Sequence, residues 1–168
     1  MKLIVAFPGT GKTYAEAYLK LKGIPSIDYD SKEVNKEEGW EEKYVENIVE
    51  FIKEDKYDYI FASFNEKVIE VLSDKEIEFS IVVPEDTEIT KQMIFGRYLL
   101  RNDGFNHVNW IKRQAKIYDR CKEENIKKFC KNNNIYFISP EHPYILDIEE
   151  LFIWKLLRYI KKVFIEKL

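Results

Sequence analysis

The chain has 168 residues, 45% hydrophobic and 15% aromatic, enough apolar material for one globular domain with its own core. Charged residues make up 34% with signs well mixed and a net charge of −3, which removes any bulk electrostatic case for duplex nucleic acid or an anionic membrane surface but leaves room for a local anion site. No run approaches the ~20 apolar residues of a membrane span, the start MKLIVAF is too short for a signal-peptide core, and Cys121 and Cys130 lack metal-ligand spacing and read as free thiols of a reducing cytosol.

The first element is the run Leu3 to Phe7, which lacks the polar alternation of a one-sided sheet and is therefore expected as a fully buried strand. It leads into Ala6-Phe7-Pro8-Gly9-Thr10-Gly11-Lys12-Thr13, the spacing of a phosphate-binding loop: Gly or Ala, four residues, then Gly-Lys-Ser/Thr. Gly9 and Gly11 permit backbone conformations that a side chain forbids, and they bring N–H groups close to phosphate oxygens. A helix opening near Gly11 aims its positive end at the same anion. Lys12 supplies a point charge for the outer phosphates, and the Thr13 hydroxyl a ligand for the accompanying magnesium. Pro8, Gly9, Thr10, Gly11, Lys12, Thr13 and Tyr14 are thus the expected contacts for ATP or GTP with Mg²⁺. The helix itself is expected to be amphipathic through Tyr14, Ala17 and Leu21.

Ser26 to Asp30 reads as a short second strand ending in acid. Residues two apart in a strand face the same way, so Asp28 and Asp30 project together at the carboxyl end of the sheet, where the crevice of an open α/β fold lies. One would hold magnesium through water while the other orients or deprotonates an acceptor hydroxyl. The competing use is a helix N-cap or turn within Asp28-Tyr29-Asp30-Ser31.

Trp40, Tyr44, Ile48 and Phe51 or Ile52 mark the next helix, and Tyr57 to Ser63 a third strand. That strand ends in Ser63 where nucleotide hydrolases usually carry an acid; Asp58 is near the wrong end. A helix on Val68, Ile69 and Leu72 follows, then a fourth strand, Glu78 to Pro84, stopped by proline.

Two long helices come next, about Glu88 to Asn102 and Val108 to Asn132, split by the turn chemistry of Asn102, Asp103 and Gly104. Four of the five arginines lie in this excursion: Arg97, Arg101, Arg113 and Arg120; Arg158 is the fifth. Arg97 and Arg101 are four apart and repel by about 0.2–0.5 kcal/mol unless an anion sits between them. A mobile flap bearing them would place positive charge over a migrating phosphoryl group; pairing with Glu88 or Asp103 is the alternative. Surface pairing is expected for Arg113 and Arg120, and core packing for Trp110. His107 and His142 have no second metal ligand nearby. A last strand, Ile135 to Ser139, precedes a loop and a terminal helix from about Ile148 to Lys167, whose apolar face (Ile148, Phe152, Leu156, Ile160, Phe164) suits packing on the sheet or, second, a dimer contact.

Strands and helices alternating in this way specify an α/β fold: one domain over residues 1–168, a parallel five-stranded sheet in a three-layer α/β/α arrangement, with a helical lid at about 86–132. FPGTGKT, IDYDS, GWEEKYVENI, YDYIFASFNEKVIEVL, FSIVVP, RYLLRND and the pair Asn109-Trp110 together resemble a small family of P-loop proteins common in bacteriophage genomes and described as ATPases or nucleotide kinases. The resemblance spans about Met1 to Lys122. It implies the kinase-like division of P-loop proteins, with strand order 2-3-1-4-5 and the excursion as lid. It carries Lys12 and Thr13 to nucleotide and magnesium, Asp30 to the acid after strand two, and Arg97 and Arg101 to the lid arginines. Thr13 and Asp30 become the expected metal ligands; Lys12, Asp28, Asp30, Arg97 and Arg101 become the expected catalytic set.

The function expected is an ATP-dependent small-molecule kinase acting on a nucleoside monophosphate or nucleoside. A nucleotide-binding module with little catalysis, acting through a protein partner, is the alternative. The expected partners are ATP and a small phosphate acceptor, with no duplex nucleic acid and no membrane, in a cytoplasmic monomer or homodimer (host cytoplasm if phage-encoded).

Overall fold

The computed structural model describes residues 1–100, 118–129 and 134–148. The strands are β1 (Lys2–Ala6), β2 (Ser26–Tyr29), β3 (Tyr59–Ser63), β4 (Ser80–Pro84) and β5 (Asn134–Ile138). The helices are α1 (Lys12–Leu21), α2 (Trp40–Glu54), α3 (Glu66–Asp74), α4 (Glu88–Leu100) and α5 (Glu123–Phe129), with short 3₁₀ turns at Ser31–Glu33 and Ile145–Asp147. All strand pairs are parallel and the order is β2-β3-β1-β4-β5. A parallel sheet needs cover on both faces, so its strands must be apolar throughout. Accordingly, β3 and β4 are buried at every residue, and Leu3 through Phe7 are exposed by 3% or less.

Register places the site. Ala6 pairs with Ser63 and Val82, and Tyr29 pairs with Ala62, so β1, β2 and β3 end in one row. The chain leaves β1 for β2 on one side, whereas it leaves β3 for β4 on the other; connections therefore part at the carboxyl end of β1, where open α/β sheets bind ligands. Tyr44 of α2 ties two of these ends together. Its hydroxyl donates to Tyr29 C=O (2.5 Å) and accepts from Ser63 N–H (2.9 Å), while its ring stacks on Tyr29 at 4.8 Å.

Two sequence expectations are corrected. In α1 the buried residues are Ala15 and Leu19, whereas Tyr14 and Leu21 are 55% and 86% exposed. The helical period is as expected but its phase is shifted, because small Ala15 with Leu19 forms the inner face beside β2 and Tyr14 turns toward Tyr144. Second, the long helix expected over Val108 to Asn132 breaks at Cys121 and Lys122. Cys121 N–H and Lys122 N–H reach back three residues to Tyr118 and Asp119, and the Asn125 side chain donates to Asp119 C=O at 2.7 Å, closing one helix end. Glu123 and Glu124 then suit the N-terminus of α5. Strand bounds otherwise agree to within two residues. The expectations at Asn102 to Gly104, Arg101, Arg113, Arg158, His107, Trp110, Cys130 and the terminal helix past Ile148 fall outside the described residues. Among the described residues no helix is long and apolar enough to cross a membrane.

Candidate nucleotide site

Phe7 through Thr13 join buried β1 to α1. Thr10 folds the turn: it is fully buried, and its hydroxyl donates to Phe7 C=O at 2.7 Å. Gly9 (φ 87°) and Gly11 (φ 97°) take the left-handed backbone that other residues avoid. Gly11 is the N-cap of α1 and offers no side chain to its N–H groups, and the first turn of α1 carries no acid. Gly9, Gly11 and Thr13 N–H have no hydrogen-bond acceptor among the described residues. Several backbone donors at a helix N-terminus form an anion site. The Lys12 ammonium folds back across the loop to Ala6 C=O at 3.1 Å.

The two acids part company here. Thr13 Oγ1 donates to Asp28 Oδ2 at 2.7 Å, while Asp28 Oδ1 is buried with no hydrogen-bond partner among the described residues. Burial pushes the Asp28 carboxyl above its ordinary range, resisted by the Thr13 hydrogen bond and the Lys12 charge and reinforced by Asp30. Asp30 takes the capping use instead: its Oδ1 accepts from Lys32 N–H at 2.9 Å and caps the turn Ser31–Glu33. Ser63 Oγ accepts from Ser31 N–H at 3.1 Å, so the residue standing where an acid is usual fastens the loop after β2.

An orphaned, buried carboxylate oxygen beside a threonine hydroxyl fits a hard cation. Among the described residues no group of three or more His, Cys, Asp or Glu could hold a metal ion. Thr13 and Asp28 could supply two ligands to Mg²⁺, an ion that takes one or two protein ligands and fills its shell with water and phosphate oxygens.

The outer side of the loop is walled by α4 and the segment after β5. A Cβ added at Gly9 would stand 3.2 Å from Ile94 Cγ2 and 3.4 Å from Tyr98 Cε2. Arg97 Nη1 donates to Gly9 C=O (2.7 Å) and Nη2 to Pro143 C=O (2.6 Å), with its guanidinium 4.2 Å from the centre of the Tyr144 ring. Ile145 N–H donates to Thr10 C=O at 3.2 Å, and the Tyr144 ring lies 5.0 Å from that of Tyr14. The sequence reading missed Pro143 and Tyr144; the one signal was an aromatic placed directly after the proline-bearing run Pro140-Glu141-His142-Pro143. Arg120 pairs with Glu66 at 3.4 Å, the surface use expected of it.

The tight fit yields a prediction at Gly11, where an added Cβ would stand 2.8 Å from Tyr144 Cδ1. Gly11→Ala must adopt a strained φ and displace that ring, so urea unfolding should show a loss of about 1–3 kcal/mol from the backbone alone, accompanied by weaker ATP binding.

No family model matches the chain, and no curated protein matches it. Among solved structures it is similar to a de novo designed protein of P-loop NTPase fold, solved by solution NMR, with a TM-score of 0.33 and 8% identity over 79% of this chain and 100% of that one. The fold assignment rests on strand order and loop geometry rather than on this likeness, and the resemblance to the bacteriophage-type family rests on its quoted motifs alone.

Proposed function

We propose that this P-loop domain is an ATP-dependent phosphoryl transferase whose acceptor is a nucleoside or nucleoside monophosphate. The observation that carries the reading is the Thr13–Asp28 contact at 2.7 Å beside Lys12, with the second Asp28 oxygen left for a cation. Bound magnesium would neutralise charge on the outer phosphates. The chain's own groups do the rest. Gly9, Gly11 and Thr13 N–H with Lys12 bind and orient the phosphates, and Thr13 with Asp28 fixes the cation against them. Asp30, just after β2, takes the proton of an acceptor hydroxyl. In the transfer, the acceptor oxygen bonds to the γ-phosphorus as the bond to the β,γ-bridging oxygen breaks; ADP leaves with that electron pair.

A monophosphate acceptor presents an anionic oxygen and needs cations rather than a base. Arg97 is engaged with two backbone carbonyls, which favours a hydroxyl acceptor; Asp30 would serve that hydroxyl through Oδ2, its Oδ1 being the turn cap. Ser63 at the end of β3 favours the second reading, a nucleotide-binding module that turns over little and acts through a partner.

The two readings separate in an assay of ADP release from Mg²⁺-ATP with a panel of nucleosides, nucleoside monophosphates and other alcohols. The kinase reading expects ADP release that depends on acceptor and is strongest with a hydroxyl acceptor. Tight ATP binding with no acceptor-dependent ADP would instead establish the binding module.

A further inference from the structure

We propose that Arg97 is a positioning residue that holds the phosphate-binding loop in its donor-presenting shape, in place of the mobile transition-state arginine expected of it. The inference rests on the nucleotide-binding reading above. Its physical basis is the geometry of the peptide unit: in a planar trans peptide, C=O and the following N–H point in opposite directions. Arg97 Nη1 anchors Gly9 C=O on the outer side of the loop, which turns Thr10 N–H the other way, onto Phe7 C=O at 3.3 Å, and so closes the turn that carries the loop donors. Ile145 N–H anchors Thr10 C=O in the same manner, which turns Gly11 N–H, a group without an acceptor among the described residues, toward the other side.

The second arm of the guanidinium, on Pro143 C=O, joins these two anchors. With Tyr144 beneath its plane, Arg97 clamps the segment carrying Ile145 to the loop it braces. Charge-assisted bonds from a rigid, planar fork suit this task. A lysine ammonium is a compact point charge without the fixed planar fork, and it cannot lie flat on the ring.

A brace that orients loop N–H groups affects every phosphate held there, whereas an arginine reaching the transferred group affects only the γ-phosphate. The test is calorimetric titration of ADP and of ATP, each with Mg²⁺, into wild type, Arg97→Lys, Arg97→Gln and Tyr144→Leu. Amide hydrogen exchange at Ile145 is measured on the same proteins without nucleotide. The expected result is that ADP and ATP weaken by the same factor, roughly tenfold or more, that Arg97→Lys is no better than Arg97→Gln, and that the Ile145 amide exchanges faster in each variant. Selective loss of ATP with ADP unchanged, full retention by Arg97→Lys, or unaltered Ile145 exchange would each overturn the proposal. Tyr144→Leu leaves both carbonyl bonds available and serves if the Arg97 variants do not fold. If wild type binds neither nucleotide, the nucleotide-binding reading fails, while the exchange data still judge the brace.

Discussion

Lys12→Ala should reduce ATP affinity by on the order of a hundredfold and remove acceptor-dependent turnover, because a charge-assisted hydrogen bond to phosphate contributes about 1.5–3 kcal/mol before its longer-range attraction is counted. Neutral backbone N–H groups and the helix N-terminus remain in the variant, and they orient an anion without supplying a full charge. Lys12 also acts on the neighbouring acid: its charge lowers the Asp28 pKa against the upward push of burial. The variant should therefore hold Asp28 less readily in the ionised form that a cation requires. Calorimetry with ATP and a coupled assay for ADP check both consequences, and a circular dichroism melt confirms that the fold survives.

Asp28→Asn should separate binding from turnover. The amide oxygen can still accept the Thr13 hydroxyl, and Lys12 and the loop donors are untouched, so ATP should bind. What is lost is the negative charge that holds the cation, and turnover should fall on the order of 10²–10³-fold, the usual cost of removing one fixed electrostatic partner of a transition state. The same substitution carries a stability signature of opposite sign. Because burial raises the Asp28 pKa in the folded protein, the protonated acid favours the fold. That contribution is complete below the ordinary carboxylate pKa and is lost as pH rises through the folded value. Asn mimics the protonated acid at every pH. Without metal, urea unfolding should find Asp28→Asn more stable than wild type at neutral pH, with the gap closing toward acid pH.

The loop was legible in the sequence because its chemistry is local. Glycines at two fixed positions, a lysine and a threonine need no distant partner to be recognised, and the backbone angles of Gly9 and Gly11 are the ones that such a turn demands. The alternation of apolar runs with helical periods likewise specified a parallel sheet. Phase and partnership were not local. Nothing in Lys12 to Leu21 says that Ala15 and Leu19 rather than Tyr14 and Leu21 face inward; that is decided by β2 on one side and Tyr144 on the other. In the sequence Asp28 and Asp30 share a face of one expected strand, with Asp30 the expected metal ligand; in the fold β2 ends at Tyr29, Thr13 bonds Asp28, and Asp30 caps the turn Ser31–Glu33. Arg97 was legible as a charge on a helix, but its acceptors come from residues 9 and 143, far apart in the chain and both backbone atoms. A backbone carbonyl leaves no mark in an amino-acid sequence.

The central claim is that Thr13 and Asp28 form the cation position of a nucleotide loop. The most direct test is titration of ATP with and without Mg²⁺ into wild type, Asp28→Asn and Asp30→Asn. If the claim holds, Mg²⁺ tightens ATP binding in wild type and in Asp30→Asn, and Asp28→Asn loses that gain while still binding ATP. An equal magnesium gain in Asp28→Asn, or no ATP binding by wild type, would contradict it.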